Sequence, residues 1–275
     1  MTLKSLSVAL ATTALVSLAL PAMAQDKTGN NVNTEAAATP AGGASTMGMA
    51  QELYAMGVAS GDALTVLTAA KLAMSVEVKE GPAAKTDLDA ETAAALGAHA
   101  NVFSKNQPLA SGVKRRLEAA AQSKEVSLVT TGTAPADDAE GAADKPVDAT
   151  AMLAKAKELA ADDEAMLGLI ADAEAEGSRG RIGGAVSWLS RLPSGMQDVW
   201  EVPFYGNSYA EIAVVGDGDA NLDVAVTDEN GNVICYDVSY ADKIYCDFTP
   251  SWDGYFYVTV ENRGGSRNSY YLMTN

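Results

Sequence analysis

A chain of 275 residues with 48% apolar side chains is long and apolar enough to bury a sizeable core, which excludes wholesale disorder. Its formal net charge of −17 argues against nucleic acid or an anionic membrane surface as a partner, because a polyanion is repelled and no basic stripe offsets the field.

The first 24 residues have the three parts of a secretory signal peptide: Lys4, an apolar run from Leu6 to Leu20, and the small-residue site Ala22-Met23-Ala24 before Gln25. Cleavage after Ala24 is expected, leaving a periplasmic or secreted chain with no transmembrane segment, since no other stretch is long and apolar enough to span a bilayer. Residues 25–46 hold almost no large apolar side chain and read as a disordered linker. Residues 47–129 read as a helical region. From Met47 to Val78 the apolar period is helical and breaks at Gly57 to Gly61, which predicts a hairpin whose second helix is capped by Ser60 or Asp62. A second helical stretch, Asp87 to Gln122, is interrupted at Asn106-Gln107-Pro108 and carries the basic run Lys114, Arg115 and Arg116.

An acidic disordered linker follows at 130–149, with Asp137, Asp138, Glu140 and Asp144 repelling one another. Residues 150–177 are helical again with a break near Asp162-Asp163. There the run Ala165 to Ala171 echoes Ala63 to Ala69, as an internal repeat of helical hairpins would. A glycine-rich joint spans 178–190. Fifteen of the 17 aromatic residues lie between Trp188 and Tyr271, and two separately folding regions explain that skew better than one mixed core.

Beyond the joint the period falls to two. Segments at 200–202, 211–214, 222–226, 233–235, 245–248, 256–260 and 270–272 are short, β-branched or aromatic, and bounded by Gly, Asp, Asn or Pro. The fold class is α+β with separate regions: alanine-rich helical hairpins, then an all-β, jelly-roll-like sandwich of about seven strands. Within it, Gly216-Asp217-Gly218-Asp219-Ala220-Asn221-Leu222-Asp223, the turn Asp228-Glu229-Asn230-Gly231-Asn232, and Gly254 followed by Tyr255-Phe256-Tyr257-Val258-Thr259-Val260 occur in order. Together these resemble the bacterial pre-peptidase C-terminal domain over residues 191–275, with Asn221 where that family usually has Asp. The resemblance implies a β-sandwich accessory module linked to secretion, surface attachment or substrate binding, often on secreted peptidases.

Catalytic signals are sparse. The single histidine, His99, sits in an alanine-rich helix as a surface or partly packed residue, and no zinc or nucleophile-elbow motif accompanies it. Ser111-Gly112-Val113-Lys114 matches S-x-x-K without its companion motifs, so a secreted hydrolase or an accessory subunit of a secreted peptidase is the alternative reading. The loop Asp217, Asp219 and Asp223 offers hard oxygen ligands at alternating positions, and Ca2+ is the cofactor they suit. Leu222 stands where an EF-hand requires glycine, so the site would be of β-sandwich type. Cys235 and Cys246 read as one disulfide in an exported chain, with two buried free thiols as the other possibility. Of the strand aromatics, Tyr240 and Trp252 lie beside turns and are the expected exposed binding pair, for a protein or glycan of the envelope or extracellular space. The sequence thus describes an exported, non-catalytic binding or structural protein.

Overall fold

The computed structural model describes residues 27–103, 125–133, 135, 145–176 and 184–275. The signal peptide 1–24, the pair Ser111 and Lys114 with its basic run, the interruption at 106–108, most of the acidic linker and residues 178–183 of the joint lie outside the described residues.

The helical half is built from short capped helices. Helix α1 (Gly43–Ser60) ends at Gly61, whose φ of 68° turns the chain, and α2 (Ala63–Ser75) starts with Asp62 accepting from the Leu64 amide. A Cβ at Gly57 would come within 2.6 Å of Val66, so glycine is what lets the two helices approach there. Two later helices, α4 (Ala149–Ala160) and α5 (Glu164–Glu176), form a second hairpin. Asp148 caps α4, and Asp163 accepts from the amides of Ala165 and Met166 at the start of α5. The two hairpins share one core in which Val66, Leu67 and Ala70 meet Met152, Ala156 and Ile170. Small alanines permit that closeness. The seven-residue echo is not the structural repeat, however: its register equates buried Leu67 with Leu169, which is 52% exposed.

Among the described residues, ten strands form two five-stranded sheets. In chain order they are β1 (Glu77–Glu80), β2 (Ser127–Thr131), β3 (Gly184–Leu192), β4 (Gln197–Phe204), β5 (Ala210–Gly216), β6 (Leu222–Asp228), β7 (Val233–Asp237), β8 (Lys243–Phe248), β9 (Gly254–Asn262) and β10 (Asn268–Thr274). One sheet runs β1-β3-β10-β5-β8 and the other β2-β4-β9-β6-β7. All seven expected strands are present. Three more were not expected: β3 occupies the second half of the glycine-rich joint, and β1 and β2 come from the region read as helical. The α+β class stands, but the two regions are not cut apart at 188.

Both ends of the sheet pair are tied. At one, Cys235 of β7 and Cys246 of β8 form a disulfide, which links the edge strands of opposite sheets. At the other, the chain leaves β1 and crosses between the sheets, so that Lys85 bridges Ser127 of β2. Trp188 fixes that crossing by donating its indole N–H to the Pro82 carbonyl at 2.8 Å, and Gly81 lies so close to the ring that a Cβ would overlap it.

Helices also cover the outer sheet faces. Ala44 and Met47 of α1 pack on Ala213, Val215 and Met273, while Met47 also touches the bundle core. Helix α3 (Ala90–His99) lays Ala95 and Leu96 on Val199, Tyr255 and Tyr257. His99 is therefore buried, contrary to the surface or partly packed position expected. Its ring stacks on Tyr257 with centroids 3.7 Å apart, and Nδ1 lies 2.8 Å from the Thr227 hydroxyl.

Residues 25–46 depart most from expectation, because from Lys27 onward the segment is an ordered arm. Asn31 is fully buried. Its amide group donates to Glu229 and to the Trp252 carbonyl, its Oδ1 accepts from the amides of Ser251 and Trp252, and its backbone N–H donates to Asp228. Asn230 and Asn232 hold the Gly29 carbonyl. Composition rules weigh apolar burial, and apart from Val32, which packs against the inter-sheet core, this arm is ordered by polar satisfaction. Asn31→Ala should destabilise the fold by about 3 kcal/mol in urea titration, because it strands several buried partners. A loss under about 1 kcal/mol would show that the arm rests on other contacts.

A second buried polar group crosses between the sheets. Asp198 of β4 accepts from the hydroxyls of Thr130 on β2, Ser190 on β3 and Tyr270 on β10 at 2.5–2.6 Å. Burial raises its carboxyl above the ordinary value of 3.8, against the pull of those hydroxyls. The folded state thus holds this proton more tightly than the unfolded chain. The stability it contributes is fully present below pH 3.8 and is lost as pH rises through the folded value. Asp198→Asn removes that dependence, so the variant should gain on the wild type as pH rises from about 4 to 7. A stability difference that stays flat with pH would count against this account.

Candidate functional site

The expected ligand and binding residues do not gather into one place. Asp217 accepts from the amides of Asp219 and Ser269, one on each oxygen, which secures the loop to β10. Its carboxyl is pushed up, by burial first and by neighbouring carboxylates after that. Asp223 pairs with Arg263 at 3.2 Å and accepts from Asn221. Among the described residues no group of three His, Cys, Asp or Glu side chains is placed to hold a metal ion. Asp217 and Asp219 stand on the loop before β6 and Asp223 on β6 itself, without converging on one point.

The aromatic pair separates as well. Tyr240 is 100% exposed, but Trp252 is buried at 7%, its indole N–H donating to Glu229 beneath the arm. Proximity to a turn suggested exposure for Trp252; the arm that covers it carries no apolar signal by which the cover could be read.

What the strands do bring together is a cleft of about 490 Å³ at one end of the sandwich, between the two sheets. Trp188 and Val186 of β3 form one wall, Val202 and Phe204 of β4 the facing one, and Pro82 and Val126 close the side where the chain crosses between sheets. These residues belong to the inter-sheet core or pack against it, apart from Pro82, so the cleft is the core opened to solvent. Its lining contains no charged side chain. Tyr205, Ser208 and Tyr209 stand on the loop at its mouth, on either side of Gly206, whose amide is held by Asp253.

Tyr209 ties this mouth to a polar cluster around the buried Glu211. Its hydroxyl lies 2.9 Å from that of Tyr245, 3.3 Å from Glu211 Oε1 and 3.4 Å from Asp247 Oδ2. Tyr245 donates to the same Glu211 oxygen at 3.0 Å. Glu211 is fully buried, and it also accepts from the Gly42 amide at the start of α1, where a carboxylate suits the helix N-terminus. A Cβ on Gly42 would overlap Glu211 Oε2, so this close seat needs glycine. Burial, and then the adjacent carboxylates, push the Tyr209 hydroxyl up; Tyr245 is driven still further by burial, the Tyr209 hydrogen bond and Glu211. No motif marks the cleft in the sequence, since its walls come from segments far apart in the chain.

No protein-family model matches the chain, and no curated protein does. Among solved structures it is similar to the crystal structure of the pre-peptidase C-terminal domain of collagenase from Bacillus anthracis, at 17% identity and a TM-score of 0.29. That likeness covers 32% of this chain and 87% of the other. The sandwich assignment accordingly rests on the strand pairing of this chain. What fold and site define is an α+β protein with a disulfide-linked sandwich open at one end as an apolar cleft, and no described helix is long and apolar enough to cross a membrane.

Proposed function

We propose that the protein is exported, loses residues 1–24, and acts in the periplasm or outside the cell as a non-catalytic binding protein whose pre-peptidase-like sandwich holds an apolar ligand in its end cleft. The cleft carries this reading: its volume lies in the range of small-molecule sites, its walls are apolar, and a few polar groups stand at the rim to orient what enters. The signal-like leader and the Cys235–Cys246 disulfide support an oxidising compartment.

The test is fluorescence titration of the mature protein with the neutral apolar probe N-phenyl-1-naphthylamine. Saturable binding is expected, and Ser208→Trp, an exposed rim position, should abolish it without lowering the melting temperature. Failure to bind, or binding indifferent to Ser208→Trp, rejects the cleft as the site. For export, protein recovered from envelope or medium should begin at Gln25, and recovery with Met1 intact would reject that part.

A further inference from the structure

We infer that the ligand of this cleft is an amphipathic cation, with an apolar tail between the sheets and an ammonium or similar head at Tyr209. This rests on the apolar-cleft reading and adds the charge of the ligand to it. Tyr209 is shared between the cleft and a second groove of about 320 Å³, which runs beneath the arm and is lined by Asn33, Asp247 and Thr249. A cleft without a charged side chain in its described lining therefore meets, at a single ring, a groove of mixed lining that carries one carboxylate, Asp247.

At that junction the charge has one sign. The Tyr209 hydroxyl is within 3.3 Å of Glu211 and 3.4 Å of Asp247, and neither carboxylate has a basic partner among the described residues. Glu211 Oε2 is buried and has no hydrogen-bond partner among the described residues. Asp247 is exposed on β8, so a head group can reach it from solvent. Tyr205, half exposed at the rim, adds a ring face of the kind that attracts organic cations. An anionic amphiphile is disfavoured twice, by these carboxylates and by the net charge of −17. A neutral one satisfies the walls but leaves the acidic end unused.

The experiment compares decyltrimethylammonium, decanol and decyl sulfate below their micelle-forming concentrations, titrated against the mature full chain by calorimetry at low salt. The cation should bind about tenfold tighter than the alcohol, and the sulfate more weakly than either. Asp247→Asn should cut the cation's advantage to about threefold or less while leaving decanol affinity unchanged, and added salt should shrink it in the wild type. If decanol binds and the cation gains nothing, or if the gain survives Asp247→Asn intact, the charge preference is overturned and the apolar cleft stands. If none of the three binds, both fall.

Discussion

A two-sheet sandwich leaves four strand edges, and the unpaired N–H and C=O groups along them must find partners, water or cover. In this protein the N-terminal half supplies that cover at one side. Strand β1 extends one sheet, β2 extends the other, and the five residues after β1 cross the gap between them to reach Ser127. Without this crossing, Trp188 would lose the carbonyl its indole N–H needs, and Asp198 would lose Thr130. The arrangement of helices follows from the same constraint, because α1, α2 and α3 are the segments that lead into and out of the two edge strands. Each then finds apolar surface on the bundle or on a sheet face.

The cleft is a by-product of that closure. Two of its walls are sandwich strands, but its side wall is Pro82 and Val126, which belong to the closing segments. An isolated C-terminal sandwich would have an open flank there instead of a bounded site. The polar cluster at its rim has a similar mixed origin: Glu211, Tyr209 and Tyr245 come from the sandwich, and Gly42 from the start of α1. The rim of the cleft and the docking of the helical half thus share side chains.

The legibility of this fold in the sequence varied with the kind of force involved. Strands from β4 to β10 were readable because apolar and aromatic residues alternate between turn residues. Strand β1, Glu-Val-Lys-Glu, was not, since a four-residue, largely exposed edge strand has no apolar pattern to show. Strand β3 was masked by the glycine-rich composition next to it, although Trp188 and Leu192 are among its buried residues. The hairpins were readable from local chemistry, as was Asp62 beside Ser60 as the cap of α2, whereas the caps Asp148 and Asp163 were not; the disulfide was readable from the signal-like leader and the spacing. The arm was misread because Asn31 is held by hydrogen bonds that only the folded sandwich supplies. His99 was misread because the aromatic ring that buries it lies about 160 residues further along. The cleft depends entirely on such long-range placement, so nothing local announced it.

Strand β1 pairs in parallel with β3, joining Glu77 to Gly184 over more than one hundred residues. Contacts of that sequence separation require a large loop to close before they return any stabilisation, which slows folding relative to local pairing. The strands from β3 onward, by contrast, pair within a span of 92 residues at the end of the chain. In synthesis order, then, the earliest segments of this protein are the last able to find their places. They must wait, unpaired, for a partner sheet that has yet to be made.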